Sequence, residues 1–251
     1  MSKIISIHSF RGGTGKSNTT ANLATLAAMQ GLRVGIVDTD IQSPGIHVLF
    51  GLETDDIGNS LNDYLWGKCT IKEAAHDVTS RVSPGIPGKI YLIPSSIKAG
   101  EIARVIHEGY DAGLLNEGFS DLLEELKLDL LLIDTHPGIN EETLLSLAIS
   151  DILLVIMRPD KQDFQGTSVT VDVALKLGVP SLMMLVNKIP LQLDLNNLKQ
   201  EIERTFNAEV VAMIPHCDEL MSLASEDIFA VRYPDHAVTA ELKKVIQKML
   251  A

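Results

Sequence analysis

"SIHSFRGGTGKSNTTANLA", Ser6 to Ala24, is the stretch on which the fold turns. An apolar, β-branched run enters a glycine turn, and the turn opens into a helical pattern. A phosphate-binding loop reads G-x-x-x-x-G-K-[ST] in this strand–turn–helix setting. Counting back from Gly15, Lys16 and Ser17 puts Phe10 at the first glycine position and Arg11 directly before Gly12 and Gly13. The glycines let the backbone aim its N–H groups inward without Cβ clashes. Those donors and the positive end of the helix dipole form a concave anion site. Lys16 is placed to reach the β- and γ-phosphates, and the Ser17 hydroxyl to ligate Mg²⁺. Phe10 does not disturb such a site, because the inward N–H groups come from the residues after it.

Outward from this stretch, short apolar runs alternate with helical patterns. Ile4–Ser9, Arg33–Asp38, Lys89–Ile93, Leu128–Asp134, Ile152–Met157, Ser181–Asn187 and Glu209–Ile214 read as strands, most of them apolar on both faces. Helices are expected over Lys16–Gln30, Ala99–Lys127, Glu141–Ser150, Asp163–Leu177, Asp194–Thr205 and Ala237–Leu250. Gly31, Gly178 and Pro180 punctuate them. The alternation predicts α/β architecture: a doubly wound, mostly parallel sheet with helices on both faces, in one domain spanning 1–251. Asp55–Gly88 is the least regular part and reads as surface.

The bulk numbers fit this reading. With 251 residues, 45% hydrophobic and 22% charged, the chain is globular in composition. No apolar run is long enough for a bilayer, and Met1-Ser2-Lys3 leads straight into Ile4, Ile5 and Ile7, so a cytoplasmic protein is expected. Cys69 and Cys217 lie far apart, with no C-x-x-C pair to suggest a disulfide or zinc framework. The formal charge of −12 opposes loose attraction to DNA or an anionic membrane, which only a local basic patch would override.

Further motifs fall at strand ends. In "VDTDIQSPG", Asp38 and Asp40 stand two residues apart, which in a strand puts both carboxylates on one face at the sheet's carboxyl edge. Such a pair suits a magnesium–phosphate site; it also serves as a helix or turn cap. "LDLLLIDTHPG" is an apolar strand ending in Asp134, followed by a turn containing His136. "LMMLVNKIP" ends in Asn187-Lys188, and an amide carries the donor and acceptor that adenine's edge requires.

These residues together resemble the ParA/MinD group of deviant Walker-A ATPases, closer to its MinD-like members, whose loop reads K-G-G-x-G-K-[ST]. Arg11 to Ser17, R-G-G-T-G-K-S, matches apart from arginine at the first basic position. The resemblance spans nearly the whole chain. It implies a P-loop NTPase fold, ATP and Mg²⁺ as cofactors, and an ATP-dependent homodimer answering to an activating or cargo protein. Gly12, Gly13, Thr14, Gly15, Lys16, Ser17 and Asn18 would then hold the phosphates. Ser17, Asp38 and Asp134 would attend the metal, Asp134 through a water. Asp40 would position the hydrolytic water, with Ile41–Val48 as switch I and Thr135–Gly138 as switch II. His136 departs from the family's turn. Asn187 would read adenine, with the backbone at Pro215, and with Asp218, packed around the base. Arg11 would act in trans, on the partner subunit's phosphates.

The resemblance leaves other functions open: a nucleotide-binding regulator or adaptor with little turnover, or a synthetase or metal-insertion ATPase. The two cysteines are not placed like those of the iron–sulfur members. The last stretch, "AELKKVIQKMLA", has apolar residues at helical spacing and reads as a helix packed on the core, with membrane binding as the alternative.

Overall fold

Leu130 and Leu132 enter one hydrophobic core while Leu131 and Ile133 enter another. Alternation of this kind is what a strand buried on both faces requires. A computed structural model of the protein describes residues 2–111 and 113–251. Its sheet comprises β1 (Lys3–His8), β2 (Arg33–Asp38), β3 (His76–Asp77), β4 (Lys89–Ile93), β5 (Leu130–Asp134), β6 (Ile152–Met157), β7 (Ser181–Ile189) and β8 (Glu209–Pro215). The spatial order is β3-β4-β2-β5-β1-β6-β7-β8. Every pairing is parallel except that of β3 with β4. The expected doubly wound α/β fold is present.

The longer helices are α1 (Lys16–Met29), α2 (Ala99–Glu108), α3 (Gly113–Glu125), α4 (Glu141–Ala148), α5 (Lys161–Leu177), α6 (Leu195–Phe206) and α7 (Ala237–Leu250). Small residues at Ala21, Ala24, Ala27 and Ala28 seat α1 against the sheet. On the same face α7 buries Val238, Leu242, Val245, Ile246 and Met249 against α1 and β8. The apolar stripe of the last helix is therefore internal. The opposite face carries two clusters, one around Phe119 and Leu122 of α3, the other around Val171 of α5 and Ile202 of α6. Among the described residues no helix is long and apolar enough to cross a membrane.

The sequence reading needs correction in three places. The helix expected over Ala99–Lys127 is two: Gly109, at φ 66, closes α2, and α3 begins at Gly113. The expectation at residue 112 lies outside the described residues. Asp55–Gly88, expected at the surface, buries Leu61, Leu65, Ile71, Ala74 and Val78 in the core and contains an antiparallel edge strand, β3, and a helical turn at Leu61–Leu65 held by a Ser60–Asp63 capping box. A two-residue strand exists only through its partners Leu92 and Tyr91, which no local pattern announces. Finally, β7 continues past Asn187 to Ile189, with Lys188 in the left-handed region at φ 54.

β1 sits at the centre, between β5 and β6, so the loop leaving its carboxyl end emerges where the chain's course across the sheet reverses. In open α/β sheets that crevice takes the ligand.

Candidate functional site

The loop from β1 to α1 is tied down from across the sheet. Asn187 Nδ2 donates to the Thr14 carbonyl at 2.8 Å, and Lys188 Nζ donates to the Gly13 carbonyl at 2.8 Å. Gly15 is the N-cap of α1 at φ 101, and a Cβ there would lie 2.6 Å from Asn187 Nδ2. Only glycine satisfies both demands. No side chain caps α1 and its first turn holds no acidic residue, whereas Asn140, Asp160 and Asp194 cap α4, α5 and α6. The amide donors at the start of α1 therefore lack the usual side-chain acceptor, as an anion site requires. Beside them lies a cleft of about 280 Å³ lined by Gly12, Lys16, Ser17, Asn18, Asp40 and His136.

Two carboxylates stand side by side behind this cleft. Asp38 and Asp134 are register partners on β2 and β5, each 1% exposed. Burial raises the Asp134 carboxyl to about 6, against the pull of Lys16 and of the Ser17 and Thr20 hydroxyls that hydrogen-bond it. Asp38 is also pushed up, by burial first and then by the Asp134 charge. The price of holding two acids together in a dry site is high unless a cation joins them. Carboxylates with the Ser17 hydroxyl form the all-oxygen donor set that Mg²⁺ takes, so the residues fit the ion.

Asp40 does not share Asp38's strand face. β2 ends at Asp38, whose Oδ1 accepts from the Asp40 amide at 3.0 Å and Oδ2 from the Gly45 amide at 3.3 Å. The backbone turns on these bonds and delivers Asp40 to the cleft from a loop, where burial raises its carboxyl while His136 and Lys16 pull it down.

The turn after β5 is braced by a histidine that no sequence motif marked. Thr135 Oγ1 donates to the Ile7 carbonyl at 3.0 Å and so accepts from His8 Nδ1 at 2.7 Å. His8 is fully buried, and burial first, then the charges of Lys16 and His136, lower it to about 3. It is neutral, with Nε2 unpaired. The next ring, His136, lines the cleft with its Nε2 at 3.8 Å from Asp40 Oδ1.

Arg11 lies at the outer lip, its Nη1 at 3.4 Å from both Asp160 Oδ1 and Asp163 Oδ1 at the start of α5. It is thus paired within its own chain. Asn187 gives one of its two amide hydrogens to the Thr14 carbonyl and one Oδ1 lone pair to the Lys188 amide, which leaves one donor and one acceptor site on the side chain. It does border an apolar chamber of about 100 Å³ next to Gly15, walled by Ile214, Leu220, Met221 and Phe229. Pro215 lines a different hollow, with His216, Cys217 and His236, and Asp218 is exposed beside His216.

An uncapped helix after a glycine loop, a Lys-Ser pair and strand-end carboxylates define a P-loop nucleotide-binding protein. A family model described as an AAA domain matches residues 2–177. The chain belongs to that family and, within it, to the ParA/MinD group of P-loop ATPases, whose cofactors are ATP and Mg²⁺. It is 26% identical to an uncharacterized ATP-binding protein of Methanocaldococcus jannaschii, over 100% of this chain and 88% of that protein. MinD of Pyrococcus horikoshii, solved with Mg-ADP, matches with a TM-score of 0.79 at 20% identity, covering 99% and 96% of the two chains. The MinC:MinD complex of Aquifex aeolicus contains a chain matching at 0.82 and 18% identity, over 99% and 96%. The structural likenesses speak to fold alone.

Proposed function

We propose that the chain binds Mg-ATP in the cleft beside α1, dimerises around it and hydrolyses it, as a switch for intracellular positioning or for control of a partner protein. The convergence of Lys16, Ser17, Asp40 and the buried Asp38–Asp134 pair on one uncapped helix terminus carries this reading. The loop amides and Lys16 would hold the β- and γ-phosphates. Ser17, Asp38 and Asp134 would hold Mg²⁺, which when bound offsets charge on the phosphates. Asp40 would orient the attacking water, and Arg11 would reach a partner subunit's phosphates. MinD structures with Mg-ADP and with MinC support the nucleotide and the idea of a protein partner.

One observation favours a second reading, a nucleotide-binding regulator with little turnover. Arg11 is engaged by Asp160 and Asp163 and must leave them to act on another subunit. Calorimetry with Mg-ATP tests the common ground: the wild type binds, and Lys16→Ala, lacking the loop's cation, loses binding. Equal affinities would remove the basis of both readings.

A further inference from the structure

β7 does not end as a regular strand. Its register with β8 shifts between Val186 and Ile189, and Lys188, inside that shift, stands in the left-handed region at φ 54. Successive side chains of a regular strand point to opposite faces, yet Asn187 and Lys188 both reach the loop after β1. Asn187 Nδ2 donates to the Thr14 carbonyl and Lys188 Nζ to the Gly13 carbonyl, each at 2.8 Å. The Lys188 amide donates to Asn187 Oδ1 at 2.8 Å and ties the pair together. A lysine in that backbone region is strained, and such strain persists only where its surroundings fix it. In a trans peptide the C=O and the N–H that follows it point opposite ways. The Gly13–Thr14 and Thr14–Gly15 bonds are trans. Drawing the Gly13 and Thr14 carbonyls toward β7 therefore turns the Thr14 and Gly15 amides away from it. In the sheet, β7 lies on one side of β1 and the ends of β2 and β5 on the other. The cleft is lined from that second side, by Asp40 and His136.

We propose that Lys188 is a positioning residue for the phosphate loop: through the Gly13 carbonyl its ammonium holds the Thr14 amide turned toward the nucleotide's phosphates. Asn187 turns the Gly15 amide the same way through the Thr14 carbonyl. This rests on the reading of the cleft as the phosphate site of Mg-ATP. Gly12, Gly13 and Gly15 leave the loop's peptide planes free to rotate. With its carbonyl unheld, the Gly13–Thr14 plane swings and its N–H is aimed at the phosphates for only part of the time. A loop ordered in advance binds more tightly, because the ligand does not have to order it. Lys188 also borders the apolar chamber beside Gly15, so the test must separate an effect on the phosphates from one on the base.

Calorimetry on the full chain measures affinity for Mg-ATP, Mg-inosine triphosphate and Mg-tripolyphosphate in wild type, Lys188→Met and Lys188→Arg. Methionine keeps an unbranched stem and removes the ammonium, and cooperative urea unfolding shows that each variant is folded. The expected result is a loss of about tenfold in Lys188→Met, the worth of one charge-assisted hydrogen bond, by the same factor for all three ligands. The loss persists between about 0.1 M and 0.5 M salt, because a local contact and not long-range attraction has been removed. Lys188→Arg, which keeps a charged donor, recovers most of it. Wild-type tripolyphosphate affinity in Lys188→Met would overturn the proposal. So would a loss confined to the two nucleotides, a loss that vanishes at high salt, or an arginine variant as weak as the methionine one. A wild type that binds neither ATP nor tripolyphosphate would overturn the nucleotide reading and this proposal with it.

Discussion

Phe10 rests on Gly166 of α5 so closely that a Cβ at position 166 would overlap its ring carbons Cδ1 and Cγ. The residue that breaks the usual phosphate-loop pattern is thus an anchor. Its ring locks the start of the loop to α5, the helix whose first turn supplies Asp163, and whose N-cap Asp160 completes the pairing with Arg11.

Gly166→Ala should therefore destabilise the protein. Alanine in a helix interior gains about 1 kcal/mol over glycine, but overpacking costs about 1–3 kcal/mol, and here the neighbour is a ring held by the loop. Urea unfolding should show a net loss, relieved when Phe10→Ala is added. A Gly166→Ala protein more stable than wild type would contradict the anchor.

Arg11 should be dispensable for binding and required for assembly. Its contacts with Asp160 and Asp163 are both long, at 3.4 Å; the Asp160 pair is exposed and contributes about 0–1 kcal/mol, and the buried Asp163 keeps Arg158 as a partner when Arg11 leaves. Arg11→Ala is expected to bind ATP as a monomer but to lose ATP-dependent dimerisation and hydrolysis. Arg11→Lys keeps both in part, since it retains the charge without the planar fork. Light scattering with a non-hydrolysable ATP analogue checks this, and an alanine variant that dimerises normally would refute a trans role.

Asp40→Ala should bind ATP and turn it over about 10²–10⁴ times more slowly, leaving a long-lived dimer. Size-exclusion chromatography with ATP and Mg²⁺ reports the dimer directly. Wild-type turnover would remove Asp40 from the chemistry.

The parts of this site that are contiguous in sequence were legible there. Strand, loop and helix from Ser6 to Ala24 announce themselves by local spacing, and Asp134 by the apolar run before it. What joins distant segments was not. Phe10 and Gly166, Arg11 and Asp163, Lys188 and Gly13, and His136 and Asp40 are each brought together by the sheet's crossovers. Asp40 shows the limit well. Two-residue spacing promised a shared strand face, but β2 stops at Asp38 and side-chain-to-backbone bonds decide where Asp40 goes. The His8 brace was missed because an apolar strand end gives no sign of the hydroxyl that Thr135 brings to it.

His8 carries a pH prediction. Its folded pKa is lowered from 6.5 to about 3, so as pH falls below 6.5 the unfolded state takes a proton that the folded state refuses. Stability from this group is complete above that value and is lost as pH drops toward 3. The raised Asp38 and Asp134 work in the opposite sense, because the folded state keeps their protons to higher pH. The His8 contribution is therefore read as a difference. His8→Asn, which preserves a donor to Thr135, should gain about 1–2 kcal/mol relative to wild type between pH 7 and pH 5. Denaturant unfolding at the two pH values measures it, and parallel profiles would show that His8 is not buried neutral.

The central claim is that ATP is hydrolysed by a dimer formed around it. ATP turnover per mole of wild-type protein, measured with Mg²⁺ across a wide range of protein concentration, tests that most directly. The account predicts a specific activity that rises with concentration, levels off as the dimer saturates, and stays low at every concentration in Arg11→Ala. A specific activity independent of concentration, and equal in Arg11→Ala, would contradict it.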